Sequence, residues 1–204
     1  MASVSNIDPT VLDSSGDLIL LVGEGALRIQ VSSHVLSLAS KVFKAMFKPH
    51  SQEGNRLKVA QGSSVCISLP EDDPEVTSLA CQVLHHQVDH TAEPPSLVLL
   101  SKLATFCDKY DCICSIRPSV RLWIQRHQIK APLSRRENIL TLSYMFDDAE
   151  LFSAVTAELV LKYEGSFIER TSKTGWNTLP ATLYCDLYRL RIMQLQQNRS
   201  NFSQ

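Results

Sequence analysis

The chain has 204 residues, a formal net charge of −1 and 44% hydrophobic residues. Its length suits one large domain or a medium domain with a smaller companion, and its hydrophobic content excludes an intrinsically disordered protein. The balanced charge excludes a global positive field that would hold nucleic acid, and no apolar stretch is long enough to predict a membrane span.

Residues 1–16 are polar and predict a flexible leader without a signal peptide. The nearly continuous apolar run Leu18–Val22 is typical of a strand buried on both faces. Apolar and polar residues then alternate over Leu27–Val31, which predicts a half-exposed strand. The Gly23-Glu24-Gly25 segment between the two runs predicts a hairpin turn.

Two short helices are predicted after the hairpin, with Ser32 or Ser33 as the first N-cap. Apolar residues recur there at spacings of three and four, which places Phe43 and Met46 in the core. Residues 49–64 are polar and contain two glycines, so they predict a long loop.

The alternation over Val65–Leu69 predicts a third strand. Asp73 is a good N-cap and Pro74 suits a first helical position, so a helix is expected to begin there. Further helices are predicted over Leu97–Tyr110 and over Ile113–Arg126, with Pro118 kinking the second or marking its start.

The remainder of the chain predicts a linker and then helices alone. Residues 127–134 read as the linker, 135–198 as a helical C-terminal extension and 199–204 as a tail. Asp147 or Asp148 is expected to cap one helix, and Pro180 to open the last. Gly165 is the expected C-cap of the first of these helices, and residues 166–178 are expected to form a loop. The last helix carries a stripe of leucines, Leu183, Leu187 and Leu190. We expect this stripe to pack on the preceding helices rather than to form a coiled coil.

Several short motifs occur in the order found in one known family. They are Asp17-Leu18, Val35-Leu36 with Ser40 and Phe43, Lys44-Ala45-Met46-Phe47, Glu53-Gly54, Leu69-Pro70-Glu71-Asp72-Asp73-Pro74, and Ala104 with Asp108-Lys109-Tyr110. Through these residues the segment Asp17 to Arg126 resembles the BTB/POZ domain in the form common in fungi. Two positions depart from the family pattern, because Ser32 stands where a histidine is frequent and Lys41 where a proline is frequent. No kelch repeats or zinc fingers are found in the sequence.

The resemblance implies an α+β fold, with a three-stranded sheet and surrounding helices over residues 17–126. It also implies a protein–protein interaction module, acting as an adaptor or a dimerisation domain without catalytic residues or cofactors. Such domains form homodimers or heterodimers, or dock on cullin scaffolds of ubiquitin ligases. The short polar leader makes exchange of an N-terminal helix unexpected. We expect an intracellular protein, cytoplasmic or nuclear, that binds neither nucleic acid nor membrane directly.

Five residues are the predicted partner-binding positions. We expect an apolar patch for self-association, formed by Leu18, Phe47 and Trp123 together with Leu20. Thr91 and Glu93 occupy the positions at which the family resemblance places a cullin contact. Thr91 stands there in place of a large apolar residue, so weak cullin docking is expected.

The alternative hypothesis is a metal-binding protein or an enzyme that uses a cysteine or histidine cluster. Cys107, Cys112 and Cys114 lack the usual paired two-residue spacing of a zinc site, and Cys107 falls on an apolar helix face. His86 and His90 are four residues apart, one helical turn if the helix continued through them. A solvated helix end is the preferred interpretation, since a third ligand is not supplied nearby. A DNA-associated regulator is a third option that the charge balance disfavours.

Overall fold

The computed structural model describes residues 8–60, 63–130, 136–162 and 179–201. It shows a mixed α+β protein in which helices surround a small four-stranded sheet. The strands are β1 (Thr10–Val11), β2 (Leu18–Val22), β3 (Leu27–Val31) and β4 (Val65–Leu69). Their order in the sheet is β1-β3-β2-β4.

The hairpin β2–β3 is antiparallel, whereas β4 pairs with β2 in parallel and β1 pairs with β3 in parallel. Gly23, Glu24 and Gly25 all have positive φ in the hairpin turn, and the two glycines adopt such angles without a Cβ penalty. Only one face of β2 is fully buried, because Ile19 and Leu21 stay half-exposed. The prediction that both faces are buried is therefore wrong for this strand.

The described residues up to Trp123 form one compact unit, and those from Ile124 onward form a second. The helices of the first unit are α1 (Ser33–Ala39), α2 (Lys41–Met46), α3 (Gln52–Val59), α4 (Pro74–Leu84) and α5 (Leu97–Tyr110). Helix α6 (Ile113–Lys130) begins in the first unit and ends in the second.

Three sequence predictions are corrected by these elements. The leader contains β1, so the sheet has four strands rather than three. Next to β1, the backbone N–H of Leu12 donates a hydrogen bond of 3.0 Å to the Gln30 carbonyl of β3. The predicted loop 49–64 contains α3. Helix α6 continues through residues 127–130 of the predicted linker 127–134 and begins before Pro118.

Gly54 explains why α3 was hard to predict. A glycine lowers helix propensity by about 1 kcal/mol relative to alanine, so the segment resembled a loop. In the structure a Cβ at Gly54 would lie 1.9 Å from the carbonyl oxygen of Lys48. The glycine therefore permits the first turn of α3, which Ser51 caps, to lie against the end of the preceding turn.

The core of the first unit lies between the sheet and α1, α2, α4 and α5. Phe43 is fully buried there, and its ring stacks on Tyr110 at a centroid distance of 4.4 Å. Met46 is only half-buried, so the core prediction is right for Phe43 and wrong for Met46.

The second unit contains the C-terminal part of α6 and the helices α7 (Arg136–Met145), α8 (Ala149–Lys162) and α9 (Ala181–Asn201). Asp148 caps α8 by accepting the Leu151 N–H at 3.0 Å, and Arg136 forms an ion pair with Glu158. In α9 only Leu187 of the predicted stripe is buried, and Leu190 is exposed. Gly165, the predicted loop 166–178 and tail residues 202–204 lie outside the described residues.

Candidate functional site

The predicted apolar patch for self-association does not exist as a surface. Leu18 and Leu20 have 0% exposure, because both point to the covered face of the sheet. Trp123 is 2% exposed, and its ring lies 5.9 Å from that of His90. Phe47 is half-buried and stacks on Phe43 at 5.7 Å. The prediction of partner contacts at Leu18 and Trp123 is therefore wrong, and Phe47 offers only part of its ring.

A different apolar surface is open on α1. Leu38 is 75% exposed and lines a groove of about 710 Å³ together with Val35 and Ala39 of the same helix. The other walls are residues 12–14, residues 83–87 at the end of α4, and Ser115 of α6. An aliphatic side chain this exposed beside a groove is a candidate contact for another protein. The sequence did not reveal it, because helical spacing alone does not tell which face of α1 the sheet covers.

The N-terminal end of α1 is held by Asp17, the residue before β2, and by its own cap. The Asp17 carboxylate accepts hydrogen bonds from the Ser33 N–H at 2.8 Å and from the Ser33 hydroxyl at 2.6 Å. Ser32 is the N-cap, and its hydroxyl oxygen accepts from the Val35 N–H at 3.4 Å. These bonds use N–H groups that a helix start leaves without partners, so they fix where α1 begins.

His85 connects α1 to the end of α4 through both ring nitrogens. Nε2 accepts a hydrogen bond from the backbone N–H of Ser32 at 3.1 Å, so Nε2 carries no proton. Nδ1 then carries the proton and donates it to the Cys81 carbonyl at 2.9 Å. Because backbone atoms use both nitrogens, this imidazole is not available to activate a serine in the groove.

The C-terminal end of α1 is tied to α5 and α6. Ser40 caps α2 by accepting the Phe43 N–H at 2.9 Å, and its hydroxyl donates to the Tyr110 carbonyl. The Ser115 hydroxyl donates to the Ala39 carbonyl at 3.2 Å. With both ends held, α1 is a fixed platform that presents Leu38 to solvent.

Tyr110 and Asp72 form the buried polar centre of the first unit. Asp72 is 8% exposed overall, and its carboxylate accepts from the Tyr110 hydroxyl at 2.6 Å and from Lys109 Nζ at 2.9 Å. Burial, followed by the hydrogen bond to Asp72, raises the pKa of the Tyr110 phenol. These two hydrogen bonds to the Asp72 carboxylate connect the turn before α4 to the end of α5.

Asp73 caps α4 as the sequence predicted. Its Oδ1 accepts from the N–H groups of Glu75 at 3.0 Å and Val76 at 3.3 Å. Its Oδ2 also pairs with Lys102 of α5 at 2.8 Å, a contact that the sequence did not predict. Hydrogen bonding to Lys102 is the largest influence that lowers the pKa of Asp73. The acidic turn thus serves as a helix cap and as a connection to α5.

The cysteine cluster of the alternative hypothesis is divided by burial. Cys107 and Cys112 are buried, whereas Cys114 is exposed. The Cys107 thiol donates a hydrogen bond to Cys112, and this bond, followed by burial, raises the pKa of Cys107; burial also raises the pKa of the neighbouring Cys81 to about 12. A metal site needs thiolates, which these environments disfavour.

The histidine pair of the alternative hypothesis does not lie on one helical turn. Helix α4 ends at Leu84, and His86 has a positive φ of 55°. His90 lies beyond this break, with its ring beside Trp123. Within the described parts of the chain, no group of three or more histidine, cysteine, aspartate or glutamate side chains is arranged to hold a metal ion.

Thr91 and Glu93 are both exposed in the segment between α4 and α5. Asp89 shapes this segment by accepting from the Thr91 N–H at 2.8 Å and the Thr91 hydroxyl at 2.6 Å. The Thr91 hydroxyl therefore stabilises a local turn, and the only apolar group of this side chain is a small methyl group.

Across the described residues, every helix is too short or too polar to cross a membrane. A scan against protein-family models and a search of curated proteins each found no match for the chain.

Proposed function

We propose that this chain is a non-catalytic protein-interaction module whose first unit is BTB/POZ-like and binds a second copy of itself through the α1 groove. The observation that carries this proposal is Leu38, which is three-quarters exposed on a helix held at both ends. A solvent-exposed leucine beside a groove gains about 1.5–3 kcal/mol when a partner buries it fully.

The order of elements supports the BTB/POZ-like assignment. The chain passes through the hairpin β2–β3, the short helices α1 and α2, strand β4 and then α4, α5 and α6, in the order that the family resemblance implies; β1 and α3 are additions to that order. The two motifs Leu69 to Pro74 and Asp108 to Tyr110 also contact each other through Asp72. Their joint occurrence in the sequence thus has a structural reason.

Self-association through α1 agrees with the shape and the charge of the surface. In a two-fold dimer the same patch is used by both copies, so Leu38 of each copy can enter the groove of the other. The net charge of −1 gives little electrostatic barrier to this approach. The non-catalytic part of the proposal is supported by His85, whose nitrogens are both used by backbone atoms.

Sedimentation equilibrium of the full chain over a micromolar concentration range tests the proposal. We expect a monomer–dimer equilibrium in the wild type that Leu38→Glu shifts to monomer, because a charge cannot be buried in the apolar contact without a partner. Val98→Glu is the matched control, since Val98 is 70% exposed and lies outside the groove. A wild-type chain that stays a monomer at high micromolar concentration would refute self-association.

A cullin scaffold is the heterotypic partner that the family resemblance implies. The exposed positions of Thr91 and Glu93 leave such a contact accessible, and the small Thr91 side chain limits its strength. Docking on a cullin is therefore proposed as weak.

A further inference from the structure

Among the residues that the structure describes, no strand pairs with the outer edge of β4. The Val65 N–H donates to the Asp17 carbonyl at 2.9 Å, and the Leu69 carbonyl accepts from the Gly23 N–H at 3.2 Å. Because backbone groups alternate sides along a strand, the N–H and C=O groups of Cys66 and Ser68 point away from β2. Among the described residues these groups make no backbone hydrogen bond across that edge.

The sequence of strand β4 lacks the features that usually protect a sheet edge. Its sequence Val-Cys-Ile-Ser-Leu contains neither a charged residue nor a proline, and it is five residues long. The opposite edge of the sheet, β1, has only two residues. Natural proteins usually cover, shorten or charge an exposed edge, because it is a template for another strand.

Helix α3 forms a second wall opposite this edge. A groove of about 610 Å³ lies between them, lined by Asn55, Arg56 and Val59 of α3 and by Val65 and Cys66 of β4. Val59 is 75% exposed, and Arg56 is exposed without an ion pair among the described residues. The groove therefore offers hydrogen bonds on one side and an apolar and a cationic side chain on the other.

We propose that this β4–α3 groove binds an extended acidic peptide from a partner protein, which adds a strand to β4. The main chain of the peptide would pair with the outward groups of Cys66 and Ser68, as in other strand additions to a sheet edge. A carboxylate of the peptide would meet Arg56, and an apolar side chain would contact Val59. Arg56 is the only charged residue lining the groove in the described part of the chain, so the charge favours an acidic partner. The inference rests on the proposed function as a protein-binding module, but it concerns a surface separate from the α1 groove.

Fluorescence anisotropy with the full chain tests this proposal with two labelled probes, Val-Glu-Val-Glu-Val-Glu and Val-Lys-Val-Lys-Val-Lys. We expect the acidic probe to bind more tightly, and Arg56→Glu to weaken it about fivefold, which corresponds to about 1 kcal/mol. The same acidic peptide methylated at alternate backbone nitrogens should lose at least roughly tenfold in affinity, because it cannot donate to the edge.

Two variants of β4 separate strand pairing from other modes of binding. Cys66→Pro removes the outward N–H but leaves the β2–β4 bonds intact, so it should abolish binding, whereas Cys66→Ala should retain it. If Cys66→Pro fails to fold, Ser68→Pro and the methylated peptide make the same test.

Equal binding of the two probes, full binding of the methylated peptide, or no binding of either probe would overturn the proposal. A rise in the monomer fraction of Cys66→Pro would also overturn it, by assigning the edge to a second copy of the chain. Leu38→Glu should leave peptide binding unchanged, and Arg56→Glu should leave self-association unchanged. These two variants therefore distinguish failure of the peptide site from failure of the proposed function.

Discussion

The buried hydrogen bond between Tyr110 and Asp72 predicts a strong energetic coupling between the two residues. Asp72→Ala leaves the Tyr110 hydroxyl without its acceptor and removes the Lys109 pair. The first loss costs about 1.5–3 kcal/mol, because the acceptor is charged. The Lys109 side chain is half-exposed, so its ion pair adds only about 0–1 kcal/mol. We expect a total destabilisation of about 1.5–4 kcal/mol.

Tyr110→Phe keeps the ring stacking on Phe43 and removes only the hydroxyl. It should cost about 1–2 kcal/mol, since Asp72 retains Lys109 as a partner. The double variant should be less destabilised than the sum of the single variants, by about 1–2 kcal/mol. Urea unfolding of the four proteins, followed by circular dichroism, measures this coupling.

The same pair predicts a loss of stability at alkaline pH. The pKa of Tyr110 is raised in the folded protein, so the folded state holds this proton above pH 10, where an unfolded tyrosine releases it. The stabilisation from this group is complete below pH 10 and is lost as the pH rises above it. Tyr110→Phe should remove this part of the alkaline loss. Additive effects in the double-mutant cycle, together with an unchanged alkaline profile in Tyr110→Phe, would refute the reasoning.

Three further predictions concern a cap, the cysteines and the cullin contact. Asp73→Ala should lower the free energy of urea unfolding by about 1 kcal/mol, because the α4 cap is lost. Asp73→Asn keeps the cap and should lose only the half-exposed ion pair with Lys102. Equally large losses of stability in the two variants would contradict the capping role. In the native protein, iodoacetamide should alkylate the exposed thiols well before the buried ones, as measured by mass spectrometry. The exposed thiols are Cys114 and Cys185, and the buried ones are Cys81, Cys107 and Cys112. Equal alkylation rates would contradict this burial. The missing apolar side chain at Thr91 forfeits roughly 1.5–3 kcal/mol, or one to two decades in cullin affinity, so calorimetry that measured a nanomolar complex would contradict weak docking.

The elements with strong local signals were predictable from the sequence. Each of these signals depends on a few neighbouring residues. They are the alternation of Leu27–Val31, the Asp73-Pro74 start of α4 and the helical period of α5. The elements that were missed depend on distant partners. Thr10 and Val11 form a strand only because β3 accepts them in parallel, and α3 contains a glycine that its packing requires.

The candidate site was less predictable than the fold. Asp72 and its partners Lys109 and Tyr110 are 37 and 38 residues apart in the chain, so no local pattern connects them. The exposure of Leu38 and the burial of Leu18 and Trp123 are likewise properties of the packed molecule. Hydrophobic periodicity indicates that a helix or strand has an apolar face, but not which apolar residues remain outside after packing.

Hydrogen–deuterium exchange of the full chain at low and high micromolar concentration tests the central claim most directly, because it reports where two copies meet. We expect protection that grows with concentration in residues 33–39 of α1 and in residues 83–87, which form two of the walls of the groove. The segment around Val98 should exchange equally at both concentrations, and Leu38→Glu should abolish the concentration dependence. Unchanged exchange throughout α1, or protection confined to other segments, would contradict the assignment of the α1 groove as the self-association surface.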